Sequence, residues 1–372
     1  MIPFIDLQAQ RRRLGADLTK AISDAVEGGQ WIMGPQVATL EAQLAEFAGV
    51  KHAIACANGT DALLIVLRAW NIGPGDAVFV PAFTFAASAE VVALVGASPV
   101  FVDVLEDTFN IDPQSLEAAI AMVKREGKLK PRAVMPVDLF GQTADYRVLE
   151  PIIRRENLKM LCDAAQGFGG LLDGRRSGGI GDAAATSFFP AKPLGCFGDG
   201  GASFTNDDGL ADLLRSIRIH GQGTDKYENV RIGVNSRLDT IQAAILIEKL
   251  KIFPEEIEMR ETVARRYSSA LSRSNRIGVP RVIEGAQSTW AQYTIQVPDR
   301  AKLQADLKAK EIPTAVYYPI PLSRQKGYRE FPSAPIPVSE KLSKTVVSLP
   351  MHPYLDAATQ DRIIEAVSES VQ

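Results

Sequence analysis

"HAIACANGTDALLIVLRAWNIGPGDAVFVPA", residues 52–82, decides the fold. It opens with a run that is apolar at almost every position, breaks at Asn58, Gly59 and Thr60, and continues with helical spacing to Asn71. It then turns at Gly73, Pro74 and Gly75 and ends in a second apolar run. A strand apolar on both faces has to be covered on both faces, and a helix between two such strands is the usual crossover of a parallel sheet. The alternation carries on outward. "FAASAEVVALVGA" reads as helix, "PVFVDV" as strand, "DPQSLEAAIAMVKREG" as helix, "PRAVMPVDLFG" as strand, residues 146–157 as helix and "LKMLCDAA" as strand. The fold class is α/β, with a mostly parallel central sheet whose ligands lie beyond the carboxyl ends of its strands.

After Asp182 the rhythm changes. "AAATSFF" and "GGASFTND" predict two short strands flanking a loop, and "GLADLLRSIRIHG" predicts a helix. A charged helical stretch over 240–272 bridges to a smaller C-terminal α+β unit, with Pro254 expected to break or restart it. In that unit "AQYTIQV", "RAKLQADLKAKEI" and "TAVYY" read as strand, helix, strand, and "TQDRIIEAVSESV" as a closing helix. The expected division is residues 1–250, with the N-terminal segment, against residues 251–372.

The chain has 372 residues, 46% of them apolar, and a formal net charge of -3, enough for a large core and without a basic face for nucleic acid. "MIPFIDLQAQRRRLGADL" lacks a signal-peptide core, and the most apolar stretch, 83–104, is interrupted by Glu90 and Pro99. A cytoplasmic protein with no membrane partner is expected. Cys56, Cys162 and Cys196 are too scattered for a disulfide framework or a metal pair, and His52, His220 and His352 are the only histidines, so no metal site is expected.

Three places stand out as candidates for chemistry. In "CANGTDAL" a strand meets a helix at Asn58, Gly59 and Thr60, where free backbone N–H groups and a hydroxyl suit a phosphate; an ordinary helix cap is the competing reading. In "LKMLCDAAQG", Asp163 follows a strand directly, well sited for a cationic ligand such as a pyridinium nitrogen, or else for capping a turn. In "SFFPAKPLGCFGDGGASF", Lys192 lies between prolines and before a run of glycines, with Thr186 and Ser187 offering hydroxyls to an anion. A lysine attacks a carbonyl only as the neutral amine, which a constrained site favours; a solvated loop lysine is the alternative. Phosphate cradle, carboxylate and lysine, in that order along an α/β domain, form the set that pyridoxal 5'-phosphate requires.

At these residues the sequence closely resembles the DegT-type (DegT/DnrJ/EryC/StrS) nucleotide-sugar aminotransferases. The resemblance runs through "IPFIDL", "GPQVATLEAQLAEFAGVKHAIACANGTDAL", "PAFTFAASAEVVALVGASPVFVDV", "DAAQGFGG", "SFFPAKPLGCFGDGGA", "RIHGQG", "IGVNSRLDTIQAAIL", "YYPIPL" and "SLPMHPYL". It implies fold type I architecture, like aspartate aminotransferase, and pyridoxal phosphate as cofactor. It further implies that Lys192 is the Schiff-base lysine and that Asp163 is the partner of the pyridine nitrogen. Gln166 would lie near the 3-hydroxyl edge, Gly59, Thr60 and Ser187 would hold the phosphate, and Phe85 would stack on the ring. Asn235, in the "GxNxR" pattern, would reach the phosphate of a neighbouring subunit, implying a homodimer with shared active sites. Arg237 is a candidate for a carboxylate of glutamate or of a uronic acid sugar, with a pair to Asp239 as the plain alternative; His220 reads as structural.

The implied reaction moves an amino group from glutamate to a nucleotide-linked ketosugar, in the assembly of lipopolysaccharide, O-antigen or another polysaccharide. "CFGDGG", "SRLDTIQAAIL" and "AQYTIQV" are most similar to enzymes that aminate C3 of UDP-2-acetamido-2-deoxy-3-oxo-D-glucuronate. A dTDP-3-oxo-6-deoxyhexose or 4-keto sugar aminotransferase and a non-catalytic PLP-binding regulator are the alternatives. Tyr317 and Tyr318 are candidate substrate contacts; many relatives have histidine at the positions of Tyr317 and Ser323, so the sugar site departs from the family at those two.

Overall fold

In the computed structural model, which describes residues 2–225 and 227–371, the strands are β1 (His52–Cys56), β2 (Asp76–Pro81), β3 (Ser98–Val102), β4 (Lys130–Val134), β5 (Lys159–Asp163), β6 (Leu171–Leu172), β7 (Arg175–Arg176), β8 (Ala183–Ser187), β9 (Gly201–Thr205), β10 (Ala286–Gln287), β11 (Tyr293–Gln296) and β12 (Val346–Leu349). Seven of them form one sheet in the order β1-β9-β8-β5-β4-β2-β3. The pairs from β8 through β3 are parallel, and β9 is antiparallel to both of its neighbours. Two reversals cancel, so β1 again runs with β8. The carboxyl ends of β1, β8, β5, β4, β2 and β3 therefore share one edge.

The helices are α1 (Leu7–Glu27), α2 (Pro35–Ala48), α3 (Gly59–Ala69), α4 (Ala87–Leu94), α5 (Pro113–Glu126), α6 (Tyr146–Arg155), α7 (Asp208–Ile217), α8 (Thr240–Leu271), α9 (Arg300–Ala309), α10 (Pro337–Thr345) and α11 (Ala357–Ser370). One face of the sheet packs against Leu40 and Leu44 of α2, Leu116 and Ile120 of α5, and Leu149 of α6. The other is covered by Leu63 and Val66 of α3, Val91 of α4, and Leu214 of α7. This is the two-sided cover that the continuous apolar strands demand. No helix among the described residues is long and apolar enough to cross a membrane.

A separate core gathers Val263, Tyr267 and Leu271 of α8 with β11, β12, α9 and α11, and takes in Ile2 from the other end of the chain. Asp103, at the end of β3, ties the C-terminal part back to the sheet: its carboxylate accepts from the backbone N–H groups of Val338 (2.9 Å) and Ser339 (2.8 Å) and from the Ser339 hydroxyl (2.6 Å).

Two sequence expectations are corrected. α8 runs unbroken through Pro254. The ring removes one backbone donor, but Phe253 and Ile257 are buried beside it, and their packing outweighs that one missing bond. "TAVYY" is not a strand: its pairing is a single bridge, Ala315 to Ser348. β11 pairs instead with β12, antiparallel. Pro313, Pro319 and Pro321 crowd the segment and deny it ladder donors.

His352 is 2% exposed and neither ring nitrogen has a hydrogen-bond partner among the described residues. Burial, then the positive charge of Arg260, lower its proton affinity to about 4, against the opposing pull of Asp6 and Asp356. An unfolded chain takes up this proton near its ordinary value of about 6.5, whereas the folded chain does so only near 4. The stability of the neutral form is thus fully present above the ordinary value and declines as pH falls toward about 4, by on the order of 3 kcal/mol in total. Denaturation as a function of pH should show this slope, and His352→Gln should flatten it.

Candidate active site

Asn58 closes β1 and caps α3, its side-chain oxygen accepting from the Asp61 N–H at 2.8 Å. The N–H groups of Gly59 and Thr60 are left at the positive end of the helix. A Cβ on Gly59 would lie 2.6 Å from Cβ of Ser187, so the first turn of α3 reaches the end of β8 only because residue 59 has no side chain. Two of the predicted anion contacts, Gly59 and Ser187, thereby meet at the carboxyl edge, with Thr60 next in the same turn. Thr186 does not join them. Its hydroxyl donates to the Ala164 carbonyl at 3.2 Å, pairing β8 with the turn after β5.

Asp163 ends β5 beside β8 and is 5% exposed. Its carboxylate accepts from the Ser88 hydroxyl at 2.8 Å and the Ala165 N–H at 3.1 Å. Burial pushes this carboxyl above its ordinary range, while Ser88, Ala165 and the charge of Lys192 pull it back. Lys192 answers in mirror image: burial lowers its ammonium below the usual lysine value and Asp163 opposes the shift. The two groups are near enough to feel each other, and the amine is biased toward the neutral form that nucleophilic chemistry needs.

Gln166 is held on both ends of its amide, accepting from the Phe140 N–H at 2.7 Å and donating to the Tyr318 hydroxyl at 3.1 Å. Tyr318 also meets Phe83 edge-on, with centroids 6.2 Å apart, and Phe85 at 6.3 Å. Phe85 itself is 56% exposed, so core packing does not account for it. Tyr317 lies against Tyr318, and the Ser323 hydroxyl is buried without a partner.

Asn235 and Arg237 flank Ser236, whose hydroxyl accepts from the Ala57 N–H at 3.1 Å, just before the Asn58 cap. Asn235 is exposed and Arg237 half-buried. The pair between Arg237 and Asp239 does not form among the ion pairs of the described residues. His220 serves through its backbone, in the left-handed region at φ 57°, accepting from the Asn229 side chain at 3.0 Å.

Sequence reasoning missed Ser88. Its one signal is that Thr84 and Ser88, a helical turn apart, interrupt an apolar stretch, and their hydroxyls lie 3.3 Å apart beneath Asp163.

The model of the DegT/DnrJ/EryC1/StrS aminotransferase family matches residues 12–368. A UDP-2-acetamido-2-deoxy-3-oxo-D-glucuronate aminotransferase from Pseudomonas aeruginosa is 48% identical over 99% of this chain and 100% of its own length. The crystal structure of a DegT DnrJ EryC1 StrS aminotransferase from Brucella abortus superposes with a TM-score of 0.98 at 54% identity, covering 100% of both chains. NtdA from Bacillus subtilis, solved with the bound cofactor PMP, gives a TM-score of 0.89 at 30% identity over 100% of this chain and 85% of its own. The chain belongs to the DegT/DnrJ/EryC1/StrS aminotransferase family, fold type I enzymes that use pyridoxal phosphate.

Proposed function

We propose that the protein transfers the amino group of glutamate to C3 of UDP-2-acetamido-2-deoxy-3-oxo-D-glucuronate, giving 2-oxoglutarate and the 3-amino sugar. The observation that carries this reading is the full-length 48% identity to the Pseudomonas aeruginosa enzyme of that name, together with a half-buried Arg237 that forms no ion pair among the described residues. An arginine suits a carboxylate because two N–H groups donate in parallel. The uronate carries such a group and a deoxyhexose does not.

The residues fit pyridoxal phosphate. A cradle that a Cβ on Gly59 would fill supplies helix N–H groups and the Ser187 hydroxyl for the phosphate, with Thr60 beside them. Asp163 is a buried carboxylate whose burial only a positive partner fully offsets, as a pyridinium nitrogen would. Gln166, fixed by Phe140 and Tyr318, is assigned to the 3-hydroxyl edge, and Phe85, exposed at the mouth, to the ring face. The cofactor supplies an electron sink that stabilises negative charge on the carbon losing a proton.

Lys192 would hold the cofactor through its Nζ and, when free of it, would carry the proton that must leave one carbon and arrive at another in each half-reaction. Asp163 would offer its charge to the ring nitrogen. Tyr317 and Tyr318 are assigned to the sugar side. They belong to residues 251–372, which we take as the smaller unit against residues 1–250.

The homodimer with shared sites belongs to the same proposal. Thr240 N–H donates to Trp31 O at 2.9 Å, and Phe197 N–H donates to Gln242 Oε1 at 2.8 Å, so exposed Trp31 (57%), Ile32 (48%) and Phe197 (43%) surround the start of α8. Such a patch fits a second copy of the chain. Exposed Asn235 lies just ahead of it, free to serve the partner's phosphate. Nucleotide sugars and glutamate meet in the cytoplasm, which is where the proposed reaction belongs.

Borohydride treatment of the holoenzyme followed by peptide mapping should find pyridoxyl on Lys192; pyridoxyl on any other residue sinks the assignment. Gly59→Val, which drives backbone and Ser187 apart, should weaken pyridoxal phosphate binding by roughly tenfold or more, read by absorbance titration of the apoprotein. With glutamate present, purified protein should release 2-oxoglutarate on addition of the 3-oxo-glucuronate sugar. Arg237→Gln should raise KM for that sugar by about 10-fold to 100-fold, the worth of a charge-assisted bond. Turnover of a dTDP-3-oxo-6-deoxyhexose alone would overturn the uronate assignment, and cofactor colour with no 2-oxoglutarate would favour a regulator.

A further inference from the structure

Among the described residues the proposed chemistry leaves buried cations unused, and one of them touches the loop of Lys192. Lys249 of α8 is 1% exposed. No carboxylate among the described residues forms an ion pair with it. Its ammonium donates to the Gly195 carbonyl at 2.6 Å and lies 4.6 Å from the centre of the Phe197 ring. A buried ammonium with no anion beside it is costly, and a methionine of similar length would fill the space without that cost. Burial lowers its pKa to about 8, against the pull of Glu256 and Cys196.

The loop that Lys249 grips is the one that carries Lys192. Lys192 N–H donates to the Phe189 carbonyl at 2.8 Å, and Cys196 N–H donates to that of Phe188 at 2.8 Å, so residues 188–196 fold back on themselves. Gly195 is the tightest point of the fold-back: a Cβ there would lie 2.6 Å from the carbonyl oxygens of Phe189 and Pro190. Those bonds lie within the loop and fix its shape, while Phe188, Leu194 and Cys196 sink into the core beneath it.

Two side-chain hydrogen bonds reach the loop from one face of α8. Gln242 Oε1 accepts from the Phe197 N–H at 2.8 Å, and Lys249, two turns further along the same face, takes the Gly195 carbonyl. Donor and acceptor on neighbouring loop residues are thus matched by acceptor and donor on the helix. Bonds to a charged donor are the stronger kind, so Lys249 is the firmer of the two holds.

We propose that Lys249 is a positioning residue: it clamps the Gly195–Phe197 turn to α8 and thereby sets the reach of the Lys192 amine into the site. This rests on the reading of Lys192 as the residue that holds the cofactor. Amine placement to within a fraction of an ångström governs the rates of attachment and of proton transfer, so a loosened loop changes both while leaving the cradle at Gly59 and Ser187 intact.

The test uses full-length wild type, Lys249→Met and Lys249→Arg, each stripped of cofactor and then given pyridoxal phosphate. Absorbance follows the rate of loading and the pH midpoint of the bound cofactor's colour change, and borohydride with peptide mapping follows attachment at Lys192. Lys249→Met should load roughly tenfold more slowly, with a displaced pH midpoint. Lys249→Arg, which keeps charge and donor, should recover most of the rate. A Lys249→Met protein that loads at the wild-type rate with an unmoved midpoint overturns the role of Lys249. If Lys249→Met does not fold, Gln242→Ala weakens the same clamp from a half-buried position, and unchanged loading there overturns it instead. Wild type that yields no pyridoxyl on Lys192 overturns the site assignment itself, an outcome distinct from equal loading in wild type and variant.

Discussion

The structure turns on an unpaid electrostatic demand at one edge of the sheet. Asp163 is buried with two hydrogen bonds, from Ser88 and from the Ala165 N–H. Each is worth about 1–3 kcal/mol to a charged acceptor, against a burial penalty of several kcal/mol for a carboxylate. Lys192 is biased toward the neutral amine by the same burial. Among the described residues the two form no direct ion pair, although each feels the charge of the other. A cation brought beside the carboxylate would offset its burial.

The sheet order answers to that demand. β5 and β8 are adjacent and parallel, so Asp163 and Ser187 leave the sheet on the same edge. β9 then returns antiparallel between β8 and β1, making the chain between Ser187 and Gly201 a loop closed at both ends by sheet. Lys192 sits in the middle of that loop, the position where strand pairing controls it least. The Lys249 and Gln242 attachments from α8 fall where this control is weakest. A helix anchored at its far end in the C-terminal core, through Val263 and Tyr267, thus reaches back to the loop of the other core.

What the sequence disclosed follows the same division between periodic and local signals. All seven strands of the main sheet were legible because being apolar on both faces is a property of each run by itself. The helix start at Asn58 was legible because a cap, a glycine and a threonine stand together in sequence. Pro254 misled because a single missing donor is outweighed by Phe253 and Ile257, whose burial is set by partners far along the chain. "TAVYY" misled because β-branched and aromatic content favours a strand, while Pro313, Pro319 and Pro321 determine what the segment can pair with. Thr186 and Ser187 are alike as residue types, and only the pleat of β8 decides that one hydroxyl turns to Ala164 and the other to α3. Ser88 and Lys249 carried almost no signal, since their worth lies in what approaches them from elsewhere.

The two halves of the site are also built with different stiffness. Gly59, Asp163 and Ser187 stand on strand ends and a helix start, where the sheet fixes them, while Lys192 stands on a loop that α8 holds. Tyr317, Tyr318 and Ser323 stand on a proline-bounded segment that makes one bridge to β12 and is followed by α10, whose start is tied down by Asp103. Such a segment can change side chains at little cost to the sheet, because few ladder bonds depend on its backbone. Ser323 is buried with a hydroxyl that has no partner among the described residues, which leaves a polar group in need of one. Tyr318 joins the halves through its bond from Gln166 and its contacts with Phe83 and Phe85, Tyr317 packs on the same cluster, and Leu322 N–H donates to the Ala82 carbonyl at 2.8 Å. Altering Tyr318 therefore reaches further than altering Ser323, since it also releases the Gln166 amide that the Phe140 N–H holds from the other side.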